Sequence, residues 1–162
     1  MSTTTSGTRT PTRTWLTLLP FLAAVTVVAT LGGLATGNAG ETYRGYDLPA
    51  FAPLSWLFGP AWTVLYAMIA VAGWLVWRAV GWRRELNLWA VQLLLNLAWT
   101  PLFFGADLIG WALLEIGLLW VAVIATIALF WRVSRPAAWQ LVPYLAWVSY
   151  ASALNAGIWL MN

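Results

Sequence analysis

The sequence predicts an all-α polytopic membrane protein, a bundle of five transmembrane helices, and three observations carry that prediction. The 162 residues are 62% hydrophobic and 8% charged, whereas soluble domains run near half apolar and about a quarter charged. Mean hydropathy is +0.77, and apolar runs of about 20 residues, the length that crosses a bilayer, can be laid nearly end to end. The basic residues fall in the breaks between those runs rather than along them.

The predicted spans cover 15–36, 54–77, 86–105, 108–131 and 136–160. The first follows a Ser/Thr-rich stretch, residues 1–14, whose composition predicts a disordered cytoplasmic tail. A basic start before an apolar run also fits a secretory signal cut near Gly37-Asn38-Ala39. The run exceeds a signal core of about 7–15 residues, which favours a retained helix. Ala29, Gly33 and Gly37 place small residues one turn apart, suited to close helix packing. A long connection, 37–53, leads to the second span. Gly81-Trp82-Arg83-Arg84 parts the second span from the third, Ala106-Asp107 the third from the fourth, and Ser134-Arg135-Pro136 the fourth from the fifth. Pro136 suits a first helical turn, where its missing N–H is not needed. Pro20, Pro101 and Pro143 fall inside spans and are expected to kink or loosen them. No polar stretch is long enough for a second domain, so 15–162 form one transmembrane unit.

All eight basic residues are Arg. Arg9, Arg13, Arg78, Arg83, Arg84, Arg132 and Arg135 share one side of a five-span topology, and Arg44 alone takes the other. The positive-inside rule then puts the N-terminus in the cytoplasm and the long connection outside, as in a bacterial plasma membrane. The pI of 9.8 therefore reflects topology, not a nucleic-acid surface. With no Cys and no His, disulfides, thiolate metal sites, the commonest metal ligand and the usual general base are excluded. The absence of Lys removes Schiff-base chemistry.

Of the 14 Trp, Trp56 and Trp111 fit an outer interfacial belt, and Trp77, Trp82, Trp131 and Trp139 an inner one. Trp62, Trp99 and Trp147 lie deeper, where an indole N–H has no lipid partner. Each has company at helical spacing: Trp62, Tyr66 and Gly73; Gln92, Asn96, Trp99 and Phe103; Tyr144, Trp147, Ala151 and Asn155. Two readings fit these stripes, a shared cavity or hydrogen-bonded helix interfaces. Glu115, an acid within the fourth span, is either a functional carboxyl or a structural one holding a neighbouring polar side chain.

Four stretches, taken in order, resemble the translocator protein family, also called tryptophan-rich sensory proteins or peripheral-type benzodiazepine receptors, in its bacterial type. They are Pro49-x-x-x-Pro53; Gly59-Pro60-x-Trp62-x-x-Leu65-Tyr66; Gln92-Leu93-x-Leu95-Asn96-x-x-Trp99-x-Pro101-x-Phe103-Phe104-Gly105; and Pro143-Tyr144-Leu145-x-Trp147 with Leu154-Asn155. The resemblance covers about Tyr43 to Asn162. It implies a five-helix bundle, often a homodimer, with a pocket under the first loop for tetrapyrroles such as protoporphyrin IX or haem. Trp62, Gln92, Asn96, Trp99, Trp111, Trp147, Ala151 and Leu154 match the family's pocket positions, and Tyr66 and Glu115 match positions nearby. Arg44, Pro49, Phe51 and Pro53 belong to the loop over the mouth, with Arg44 placed to pair with a propionate. Neither a resident cofactor nor a metal is implied.

Two departures bear on function. Leu154-Asn155 lacks the following Tyr and Arg of the animal cholesterol motif, which speaks against a sterol partner. Arg44-x-Tyr46-x-Leu48 is a reversed pattern of that kind, and such short patterns are weak. Phe51 stands where many members carry Trp. Three functional readings follow: a tetrapyrrole-binding sensor, a light-dependent porphyrin degrader using Trp62 and Trp147, and a porphyrin transporter.

Overall fold

The computed structural model describes residues 14–36 and 39–162. The tail expected over 1–14 lies outside them apart from Thr14, as do Gly37 and Asn38, and with them the close-packing pair at Gly37 and the cleavage reading.

The described residues form helices and connections only, as the composition predicts. They run as α1 (Leu19–Thr36), α2 (Ala39–Gly45), α3 (Phe58–Val80), α4 (Arg84–Thr100), α5 (Ile109–Val133) and α6 (Arg135–Met161). By length and apolarity, four stretches suffice to cross a membrane: Trp15–Ala35, Ser55–Val80, Arg84–Gly105 and Ile109–Val133. The fifth expected span forms α6, the longest helix at 27 residues. It is not among those four, because Gln140, Ser149, Ser152 and Asn155 dilute its apolar character.

Around the bundle the helices neighbour one another in the order α1, α3, α6, α5, α4 and back to α1. The Trp74 indole donates to Thr17 Oγ1 at 2.9 Å, which ties the end of α3 to the turn that opens α1. The Asn162 amide bonds the backbone of Asp47 in both directions, at 3.1 and 3.2 Å. The C-terminus and the first loop therefore share the opposite end.

The breaks follow local chemistry. Gly81 ends α3 at a φ of 72°, a left-handed position that glycine adopts without a Cβ clash. Ser134 caps α6 by accepting from the Ala137 N–H at 3.4 Å. The three prolines act differently from one another. Pro20 falls in the first turn of α1, where no helical bond is lost. Pro143 is carried within an unbroken α6. Pro101 changes the winding of α4: residues Pro101–Gly105 form a π-helical turn, and the Ala106 N–H reaches back to the Pro101 carbonyl at 2.8 Å. Wider turns of this kind are common at functional sites. The long connection is not wholly irregular either, since α2 forms within it and buries Tyr43.

Candidate ligand-binding site

Every fourth residue along the start of α3 is aromatic. Phe58, Trp62 and Tyr66 therefore lie on one helix face, turned toward the bundle. Opposite them α1 offers small or short side chains, among them Thr26, Ala29, Gly32 and Gly33. Bulky wall against slim wall leaves a cavity of about 580 Å³, within the size range of small-molecule sites. Trp99, Thr100 and Phe104 close it from the end of α4, and Ala39, Gly40 and Tyr43 cover it from α2.

The aromatic wall is fixed from behind. Trp62 stacks on Tyr66 with centroids 5.2 Å apart, and meets Tyr144 and Trp147 edge-on at 6.2 and 6.4 Å. The Tyr66 phenol donates to Asn96 Oδ1 at 2.6 Å. Trp99 stacks on Phe103 at 5.1 Å and donates its indole N–H to Asn155 Oδ1 at 3.2 Å.

Of the residues singled out in sequence, Trp62, Tyr66 and Trp99 line this cavity. Ala151, Leu154 and Asn155 line a second void of about 10 Å³ under the loop, which also meets Tyr43, Phe58, Trp99, Phe103 and Phe104. Trp147 stands behind Trp62, and Asn96 behind Tyr66. Gln92 is buried, its amide donating to the Trp89 carbonyl at 2.9 Å while Oε1 is unpartnered. Both Glu115 oxygens and the Tyr144 phenol are also buried without an aligned partner. Trp111, 66% exposed, joins neither void. The amide-bearing stripe of α4 thus serves helix contacts as well as the wall.

The loop residues are seated rather than hanging over a mouth. Arg44 is exposed, its Nε donating to the Gly40 carbonyl at 3.0 Å. Pro49 and Phe51 rest on α6 at Gly157, where a Cβ would come within 3.1 Å of Pro49 and 3.6 Å of Phe51. The Phe51 carbonyl accepts from the Tyr150 phenol at 2.8 Å, and the Pro53 carbonyl from Tyr43 at 3.1 Å. Tyr46 donates to Asp107 Oδ1 at 2.6 Å. Burial, with a smaller effect of Tyr150, pushes the Tyr43 phenol up to about 12. Burial and then the bond to Asp107 hold Tyr46 above the usual tyrosine range.

The α1 face and Tyr43 were not singled out as site residues. Their signal was present in Ala29, Gly32 and Gly33 and in Tyr43, one of two tyrosines in the connection over 37–53. Small residues on a membrane helix equally signal close packing, so spacing could not tell cavity wall from contact.

Apolar spans, exposed indoles at the helix ends and an aromatic-walled cavity under a loop define a polytopic helical integral membrane protein with an apolar pocket between its helices. The pattern of the TspO/MBR family matches residues 21–160, and the chain belongs to that family. It is 38% identical to the translocator protein of Sus scrofa, over 88% of this chain and 92% of the relative. It is 42% identical to the tryptophan-rich protein TspO of Chlorobaculum tepidum, over 80% and 90%. A tryptophan-rich sensory protein of Cereibacter sphaeroides is 36% identical, over 87% and 88%.

Proposed function

We propose that this protein binds a flat, largely apolar tetrapyrrole, protoporphyrin IX or haem, and acts as a membrane sensor or regulator. The observation that carries this reading is the 580 Å³ cavity faced by Trp62, Tyr66 and Trp99. Indole and phenol rings offer a macrocycle extended π-faces, while Thr63 and Thr100 supply the few polar groups that fix orientation. Arg44 is exposed on the covering helix with no carboxylate partner among the described residues, and would meet a propionate. In this reading α6 is the fifth span, the membrane is a bacterial plasma membrane, the N-terminus is cytoplasmic and the protein pairs as a homodimer.

Titration of protoporphyrin IX against intrinsic Trp fluorescence tests the reading. Saturable quenching is expected at micromolar or tighter affinity, about 8 kcal/mol. A Trp62→Ala, Trp147→Ala double variant should lose most of it, and equal quenching in that variant would place the ligand elsewhere. Absorbance of the bound porphyrin under illumination separates binding from degradation: a stable spectrum fits a sensor, progressive bleaching a degrader.

A further inference from the structure

The large cavity and the small void under the loop share four lining residues, Tyr43, Phe58, Trp99 and Phe104. These rings form a partition, and they are not held alike. Trp99 is anchored by a hydrogen bond and a stacked ring. Phe104 sits in the π-turn, packed edge-on against both Trp99 and Phe103. Phe58 starts a 23-residue helix. Tyr43 comes from α2, seven residues long, and is 2% exposed. Its side chain is fixed by one bond to the Pro53 carbonyl at 3.1 Å and one edge-on contact with Phe58 at 5.2 Å. Gly40 and Gly45, on either side of it in α2, are exposed with open space where a Cβ would stand, so no side chain of theirs packs α2 against the bundle.

We propose that Tyr43 is the movable partition of the site and the residue that sets how large a ligand it admits. A small aromatic fits the first cavity with Tyr43 in place. An extended planar ligand displaces the phenol, joins the two voids and reaches Ala151 and Leu154 on α6. The inference rests on the tetrapyrrole reading for its natural occupant, but not for its test.

The chain has no Cys, so Ala151→Cys introduces a single thiol at a position 6% exposed behind the partition. N-ethylmaleimide should label it slowly in detergent. Adding Tyr43→Ala should raise the rate by about tenfold or more, since labelling then no longer waits for local opening. Tyr43→Phe, which loses only the bond to Pro53, should fall between the two and guards against a misfolded Ala variant. Protoporphyrin IX should protect the thiol, whereas naphthalene, small enough for the first cavity alone, should not. Equal labelling rates in all three backgrounds would overturn the partition. Protection by naphthalene equal to that by protoporphyrin would overturn the role in ligand size. Failure of protoporphyrin to bind at all would sink the tetrapyrrole reading, while the labelling rates would still decide the role of Tyr43.

Discussion

Trp99 and Asn155 meet across the bundle, indole N–H to Oδ1 at 3.2 Å, and the same Asn155 amide donates to the Ile109 carbonyl at 3.0 Å. One side chain on α6 thus ties together the end of α4 and the start of α5. It also holds the Trp99 ring where it faces both voids.

Asn155→Leu keeps a side chain branched at Cγ, though a larger one, and removes both bonds. The indole N–H is left without a partner in an apolar interior, while the Ile109 carbonyl keeps its place in the first turn of α5. Bonds between membrane helices are worth about 0.6–1.7 kcal/mol each, so a loss of about 1–3 kcal/mol is expected. Unfolding in mild detergent measures it. Unchanged stability would mean that packing alone fixes Trp99.

Gly73 is a position where close approach leaves no alternative residue. A Cβ there would stand 2.7 Å from Trp89 Cε2, 2.9 Å from its Nε1 and 3.0 Å from Phe21. Gly73→Ala must push the indole away, stretching its 3.0 Å bond to the Ile69 carbonyl. Overpacking of this kind costs about 1–3 kcal/mol. A lower unfolding midpoint with an altered Trp emission maximum is expected; a neutral substitution would show that α3 and α4 slide apart freely.

These two sites show what the sequence could and could not reveal. Apolar run length placed α1 and α3–α6 within a few residues of where the helices form, because hydrocarbon tolerates few alternatives for a polar backbone. The aromatic stripe through Trp62 and Tyr66 was legible from its spacing, and so was burial of Gln92 and Asn96. Which stripe faces open space was not. That depends on α1 presenting Ala29, Gly32 and Gly33 to α3, a relation between distant segments that periodicity within one helix does not encode. Trp111 shows the converse: it matches a pocket position of the family, yet its exposed ring lines neither void and fits the outer belt. Pro101 marked where the third span would loosen, though not that it would do so as a π-turn, and the short helix around Tyr43 carried no clear local signal.

Alkaline stability should report the loop tyrosines. The unfolded reference for Tyr43 is 10.0 and its folded value is raised to about 12; Tyr46 is raised as well. Between those values the folded chain keeps a proton that the unfolded chain has lost, so the stabilisation is complete below pH 10 and declines as pH rises toward about 12. Tyr43→Phe and Tyr46→Phe should each flatten that decline relative to the parent. Unfolding midpoints across this range measure the difference, and parallel curves would show that neither phenol is held neutral by the fold.

Whether α6 crosses the membrane is open to direct measurement. Its 27 residues span about 40 Å at 1.5 Å per residue, enough for a hydrocarbon core of about 30 Å. Apart from Gln140 near its start, the polar groups that lower its hydropathy are buried or bonded. Tyr144 and Asn155 are buried in the bundle. Ser149 bonds the Leu145 carbonyl and accepts from Trp120, and Ser152 bonds the Val148 carbonyl. The outward face carries Trp139, Ala146, Ala153, Trp159 and Leu160. In this Cys-free chain, Arg135→Cys and Met161→Cys place single thiols at exposed positions at the two ends of the helix. A membrane-impermeant maleimide added to intact cells should label Met161→Cys and spare Arg135→Cys, with both reacting after lysis. Labelling of both from outside would mean that α6 does not cross. Labelling of Arg135→Cys alone would reverse the orientation inferred from the Arg distribution while keeping the fifth span.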